Sequence, residues 1–130
     1  MSVKDEFMKT ANVAIDSYNK HVEYYGEARR LESRAIYELF KAYGMILDET
    51  KVRNKKTGAV GYLRLVEDGR SVGHFFSVAF YPVCKDGKIS KVRSWKDSPD
   101  YKYFGFSELG DAERFYKEAE NAVESYEVAQ

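Results

Sequence analysis

A chain of 130 residues is long enough for one domain to bury its own core, and 21 basic side chains balance 21 acidic ones, so net charge by itself names no partner. The single cysteine, Cys84, excludes an internal disulfide, and no apolar run approaches the roughly 18 residues that cross a bilayer. The opening Met-Ser-Val-Lys-Asp-Glu lacks the apolar stretch of a signal peptide, so a cytoplasmic protein with no membrane partner is expected.

Residues 3–43 follow a helical period, with Phe7, Ala11, Ala14, Ile15, Tyr18, Val22 and Tyr25 recurring at steps of three and four, then Ala28, Leu31, Ala35, Leu39 and Ala42. Ser2 with Asp5 forms a capping-box pattern, and Gly44 stands where a helix-stopping glycine belongs. The stripe shifts phase near Gly26. Either one long helix runs through it or two helices meet at a break, and the second is favoured because so long a helix is unusual in a small domain.

Residues 45–106 change to strand-like runs at 46–53, 59–67, 71–83 and 88–95, with a short fifth at 101–106. Asn54-Lys55-Lys56-Thr57-Gly58, Asp68-Gly69 and Asp86-Gly87 are the expected turns between them, so neighbouring strands should be antiparallel. Pro82 marks a strand end or an exposed edge, because it offers no ladder donor. Residues 108–127 return to a helical period through Leu109, Ala112, Phe115, Ala119, Ala122 or Val123, and Tyr126, with Ser107 as N-cap. The expectation is a single α+β domain over 1–130. It has a long helix or helical hairpin (1–44), an antiparallel β-meander of four or five strands (45–106), and a C-terminal helix (107–128) packed on one sheet face.

The neutral total hides an uneven distribution. Residues 50–102 hold twelve basic and five acidic side chains, whereas residues 103–130 hold two basic and seven acidic. Strand alternation puts Leu63, Leu65 and Val92 toward the helices. It gathers Tyr62, Arg64, Phe75, Tyr81, Lys91, Arg93 and Trp95 on the opposite face. Cations there would neutralise phosphates, and aromatic rings would stack on unpaired bases. The same residue types also suit a sheet face that merely meets water. Lys51, Arg53, Lys55 and Lys56 form a second basic cluster around the first hairpin loop, either reaching a phosphate backbone or simply solvated. On the last helix, Glu113 and Glu120, with Glu108, Asp111, Glu118 and Glu124, could mimic phosphates to a protein partner or complement the basic sheet.

Chemistry-bearing motifs are absent from the sequence. His21 and His74 lie outside any metal spacing, no Gly-x-Ser-x-Gly elbow or phosphate loop occurs, and Cys84 is expected to be partly buried in a strand. Glu27, Glu32, Glu113 and Glu120 look like solvated helix faces. The order helix, strands, helix resembles the double-stranded-RNA-binding domain. That module places basic residues at the start of its last helix, where this chain reads Ser107-Glu108-Leu109-Gly110-Asp111, so the match fails. No cofactor and no enzymatic activity are expected. The expected function is binding through a surface, foremost to another protein. The style resembles accessory or inhibitor proteins of phages and mobile elements that target nucleic-acid-processing machinery. The alternatives are single-stranded nucleic-acid binding on the sheet face and an enzyme without a recognisable motif. A dimer through the long helices is a further option.

Overall fold

The computed structural model describes residues 2–20, 25–70, 73–99 and 112–129, and for residues 17–20, 25–30, 67–70 and 73–77 the backbone alone. Among these residues, three helices and a four-stranded antiparallel sheet give the expected α+β class. Helix α1 (Val3–Lys20) starts on the predicted capping box. Asp5 N–H donates to Ser2 Oγ at 3.1 Å, and Ser2 N–H returns to Asp5 Oδ2 at 3.4 Å. Helix α2 (Tyr25–Ala42) lies antiparallel against α1, since the start of α1 (Val3, Phe7) and the end of α2 (Leu39, Ala42) share one groove. The N-terminal region is therefore a pair of helices, with Gly26 inside the first turn of α2; residues 21–24, including His21 and Val22, lie outside the described residues.

Gly44 ends α2 in a Schellman motif. Met45 N–H reaches back to Phe40 O at 2.9 Å and Gly44 N–H to Lys41 O at 3.0 Å. The φ of +84° at Gly44 is a left-handed value that any side chain would strain. The next residues form a turn rather than the predicted strand start at 46. Thr50 N–H bonds Ile46 O, and Ile46 N–H bonds Thr50 Oγ1, while Met45 and Leu47 drop into the core. Strand β1 therefore begins only at Lys51 and ends at Asn54.

Strands β2 (Val60–Arg70) and β3 (Gly73–Pro82) form a long antiparallel ladder, pairing Tyr62 with Tyr81, Leu63 with Phe80 and Arg64 with Ala79. The ladder continues through Asp68 with Phe75 and Gly69 with His74, so the predicted turn at Asp68-Gly69 is overturned. Pairing along two long strands outweighs the local turn preference of that dipeptide.

Helix α3 (Ala112–Glu124) stops three residues before the expected 127, and Tyr126–Val128 forms strand β4 beside β1. Ser125 closes the helix, its N–H bonding Ala122 O and its hydroxyl bonding Asn121 O. The chain then pairs Val128 with Val52 and Tyr126 with Asn54. The sheet order is β3-β2-β1-β4: a three-strand meander, with its fourth strand supplied from the C-terminal region rather than from residues 88–95. The proposed strand 101–106 and the N-cap Ser107 lie outside the described residues.

The core lies between the sheet and the helices. Phe40 from α2, Phe80 from β3 and Tyr126 from β4 pack together, with Val52, Leu63 and Val78 from the sheet. Phe7 meets Phe115 and Tyr116 edge-on at 5.2 and 5.3 Å, which ties α1 to α3. Each such ring removed from water contributes on the order of 1.5–3 kcal/mol. Two expected assignments fail here. Ala42 is exposed at the end of its stripe, and Glu32, expected on a solvated face, is buried.

Candidate functional site

The sheet face opposite the core carries Tyr62, Arg64 and Tyr81 together, as alternation predicts. It is not a free cationic surface. The Arg64 side chain is held between the Asp48 carboxylate at 3.0 Å and the Tyr81 ring at 4.9 Å. Asp48 takes a left-handed φ of 70°, a conformation that Asp tolerates better than most residues, and its N–H bonds Leu63 O. Phe75 sits on β3 opposite Asp68, and its side chain lies outside what is described.

Lys91, Arg93 and Trp95 lie beside β3, outside the four-stranded sheet. Residues 88–95 form no regular strand. After β3 the chain turns at Cys84–Lys88, where Cys84 N–H bonds Lys88 O and Lys88 N–H bonds Asp86 Oδ1. It then returns along the outer edge of β3 as a strap. The strap touches β3 through two bridges, Val83 with Ile89 and Phe80 with Ser94. Two residues separate the bridge points on β3 and four separate them on the strap, so the strap carries two extra residues and bulges outward. Ser90 clamps the bulge, its Oγ accepting from Val92 N–H at 3.1 Å and donating to Val92 O at 2.9 Å. This geometry overturns the expectation that Val92 faces the helices: it is 73% exposed.

The far end of the strap is tightly held. Ser94 N–H bonds Phe80 O, Phe80 N–H bonds Ser98 Oγ, and Ser98 Oγ donates to Ser94 O. Ser94 Oγ donates to Asp97 Oδ2 at 2.5 Å; the other oxygen, Oδ1, is buried without a hydrogen-bond partner among the described residues. The Asp97 carbonyl receives both Asn54 Nδ2 at 3.0 Å and the Tyr126 hydroxyl, which fastens the strap to β1 and β4. Burial pushes the Tyr126 hydroxyl well above its ordinary ionisation, so it stays a donor there.

On this fixed strap Trp95 is 70% exposed, with the Arg93 guanidinium stacked over its ring at 4.7 Å. Residues 85–96 hold Lys85, Lys88, Lys91, Arg93 and Lys96 against one acid, Asp86. The four lysines are exposed and form no ion pair among the described residues. Sequence reasoning missed Lys85, Lys88 and Lys96 because it followed strand alternation. The signal that finds them is the density of basic residues in this one segment.

The other two predicted clusters are more fully engaged. Arg53 faces Glu127 across the β1–β4 ladder at 3.4 Å, while Lys55 and Lys56 remain exposed and Lys51 is half-buried. Asn54 organises this loop, its Oδ1 accepting from Lys56 and Thr57 N–H. Lys56 and Lys96 line a cleft of about 210 Å³ with Asn121 and Ser125. That is the negative end of α3, which two cations complement. On α3, Glu113 pairs with Lys4 at 2.5 Å and holds its ammonium pKa above the ordinary value. Glu120 accepts from the Tyr116 hydroxyl at 2.5 Å and from Tyr43 at 3.4 Å. Burial and that carboxylate both push the two tyrosines up. The acidic face is thus partly occupied by the fold itself.

A groove of about 390 Å³ between α1 and α2 brings Glu6, Arg34 and Glu38 beside Phe7 and Leu39, with no constellation of recognisable chemistry. Cys84 is exposed in its turn, not buried in a strand. Among the described residues no cluster of three or more His, Cys, Asp or Glu is placed to hold a metal ion, and no helix is long and apolar enough to cross a membrane. No protein-family model, curated protein sequence or solved structure matches the chain.

Proposed function

We propose that this is a small non-catalytic binding protein that acts through the basic, aromatic strap of residues 85–96 on a polyanionic partner. One observation carries the reading: a net-neutral chain concentrates exposed lysines, without ion pairs among the described residues, around an exposed indole on a segment fixed by hydrogen bonds to three strands. An exposed large aromatic among like charges has no packing purpose of its own, and interaction surfaces favour such residues. Phosphate mimicry by α3 is less favoured, because Glu113 and Glu120 already have partners within the fold.

Heparin chromatography tests the reading. A protein of zero net charge should pass through unless its charge is locally concentrated. The native chain is expected to be retained at low salt and released as salt rises. The double variant Lys88→Glu, Lys91→Glu should lose retention, and Lys55→Glu, Lys56→Glu should keep most of it. Flow-through of the native protein, or loss of retention only in the loop variant, sinks the assignment to the strap.

A further inference from the structure

We infer that the strap's partner is single-stranded nucleic acid, with a base stacked on Trp95 and phosphates held by Lys88, Lys91 and Lys96; this rests on the proposed role of the strap as a polyanion-binding surface. The ring is the discriminating element. Arg93 covers one face of the indole at 4.7 Å, yet the residue keeps 70% of its surface in water, so the other face is available. A guanidinium on one side also restricts how the ring can rotate. The backbone carrying Trp95 is fixed by the Ser94 and Ser98 hydrogen bonds to Phe80. The result is a preoriented platform with cations close along the chain on both sides, Lys91 before it and Lys96 after it.

An acidic protein fits this arrangement less well. A tryptophan at a protein interface gains by sinking into a dry pocket, and charged groups are depleted from such cores. Here the Arg93 guanidinium lies over the ring, so a pocket enclosing Trp95 would have to take in a charged group as well. A base needs only the free face of the indole and does not require the ring to be enclosed. Duplexes fit less well again, because their bases are already stacked on one another and leave no free face. Every unpaired base offers a π-face whatever its identity, so the expected recognition is sequence-tolerant and salt-sensitive.

Trp95 is the sole tryptophan, so intrinsic fluorescence reports on this ring alone. Single-stranded oligodeoxythymidylate and oligouridylate are titrated into the full chain across a salt series. A duplex of the same length and poly-glutamate serve as comparison arms. The inference expects quenching by the single strands and little by the duplex or poly-glutamate. By polarisation of a labelled strand, Trp95→Ala should weaken binding on the order of 5- to 150-fold, the effect of one stacked base, and Trp95→Phe should recover part of it. Lys91→Ala should reduce the log–log salt slope by about 0.7, as expected for one lost phosphate contact on a single strand. Circular dichroism checks that the exposed substitutions leave the fold intact. Retention on heparin without quenching by any single strand overturns the nucleic-acid inference and leaves the polyanion surface standing. Equal quenching by poly-glutamate, equal quenching by the duplex, or an unchanged affinity in Trp95→Ala also overturns it. Failure on heparin removes the surface reading itself.

Discussion

Tyr126 links the core to the strap. Its ring lies between Phe40 and Phe80, with centroids 6.3 and 6.1 Å away, and its hydroxyl donates to the carbonyl of Asp97 in the strap. Burial holds that hydroxyl neutral above its ordinary pKa, and Tyr116, buried and bonded to Glu120, behaves likewise. The sign of the resulting pH dependence follows. An unfolded tyrosine ionises near pH 10 while the folded one keeps its proton, so the unfolded state binds fewer protons above that pH. Stability is therefore expected to be flat with respect to these two groups below about pH 10 and to fall as pH rises beyond it. Urea midpoints measured across the alkaline range should show this. Tyr126→Phe should shallow the fall while costing about 1 kcal/mol at neutral pH, the worth of one net hydrogen bond. An alkaline slope identical in the variant would show that Tyr126 does not contribute. The sequence pattern placed Tyr126 in the apolar set correctly but assigned it to a helix. Its spacing continues the α3 stripe, and a three-residue strand gives too short a run of alternation to compete.

At the scale of elements, the β2–β3 contact depends on a glycine with no side chain to spare. A Cβ on Gly61 would stand 2.3 Å from Tyr81 O and 2.8 Å from the Pro82 Cα, and both obstacles are backbone. Gly61→Ala must therefore spread the two strands, with an expected cost of about 2–3 kcal/mol, at the upper end for an overpacked core. It should also loosen the strap, which lies along the same stretch of β3. A urea midpoint within error of the native value would contradict the close approach. Local features of these elements were legible from a few residues. The Ser2–Asp5 box and the Gly44 cap depend on contacts within one turn, and both form as the pattern predicts. The strap was not legible, because its bulge is a mismatch in residue count between two segments. Nothing in Lys91-Val92-Arg93 alone shows that β3 has two fewer residues between the same bridge points.

For the molecule as a whole, the sequence exposed the polarity of charge but not its disposition. Two members of the basic excess are paired within the fold, Arg53 with Glu127 and Arg64 with Asp48. The acidic helix is in turn engaged by Lys4, Tyr43 and Tyr116. These exposed pairs add little stability, but they remove their members from a shared surface field. The strap lysines are left as a local cationic concentration on a neutral molecule. Of the seven residues expected on one face, Tyr62, Arg64 and Tyr81 share it, whereas Lys91, Arg93 and Trp95 stand beyond its edge. The chemistry expected of the set survives in a different place, because the edge strap replaced the fourth meander strand. Mapping backbone amide shifts by NMR while a short heparin oligosaccharide is added tests this placement most directly. The account predicts perturbations concentrated on Lys85–Lys96 and neighbouring Tyr81, and perturbations centred on the Lys51–Lys56 loop or on α3 would contradict it.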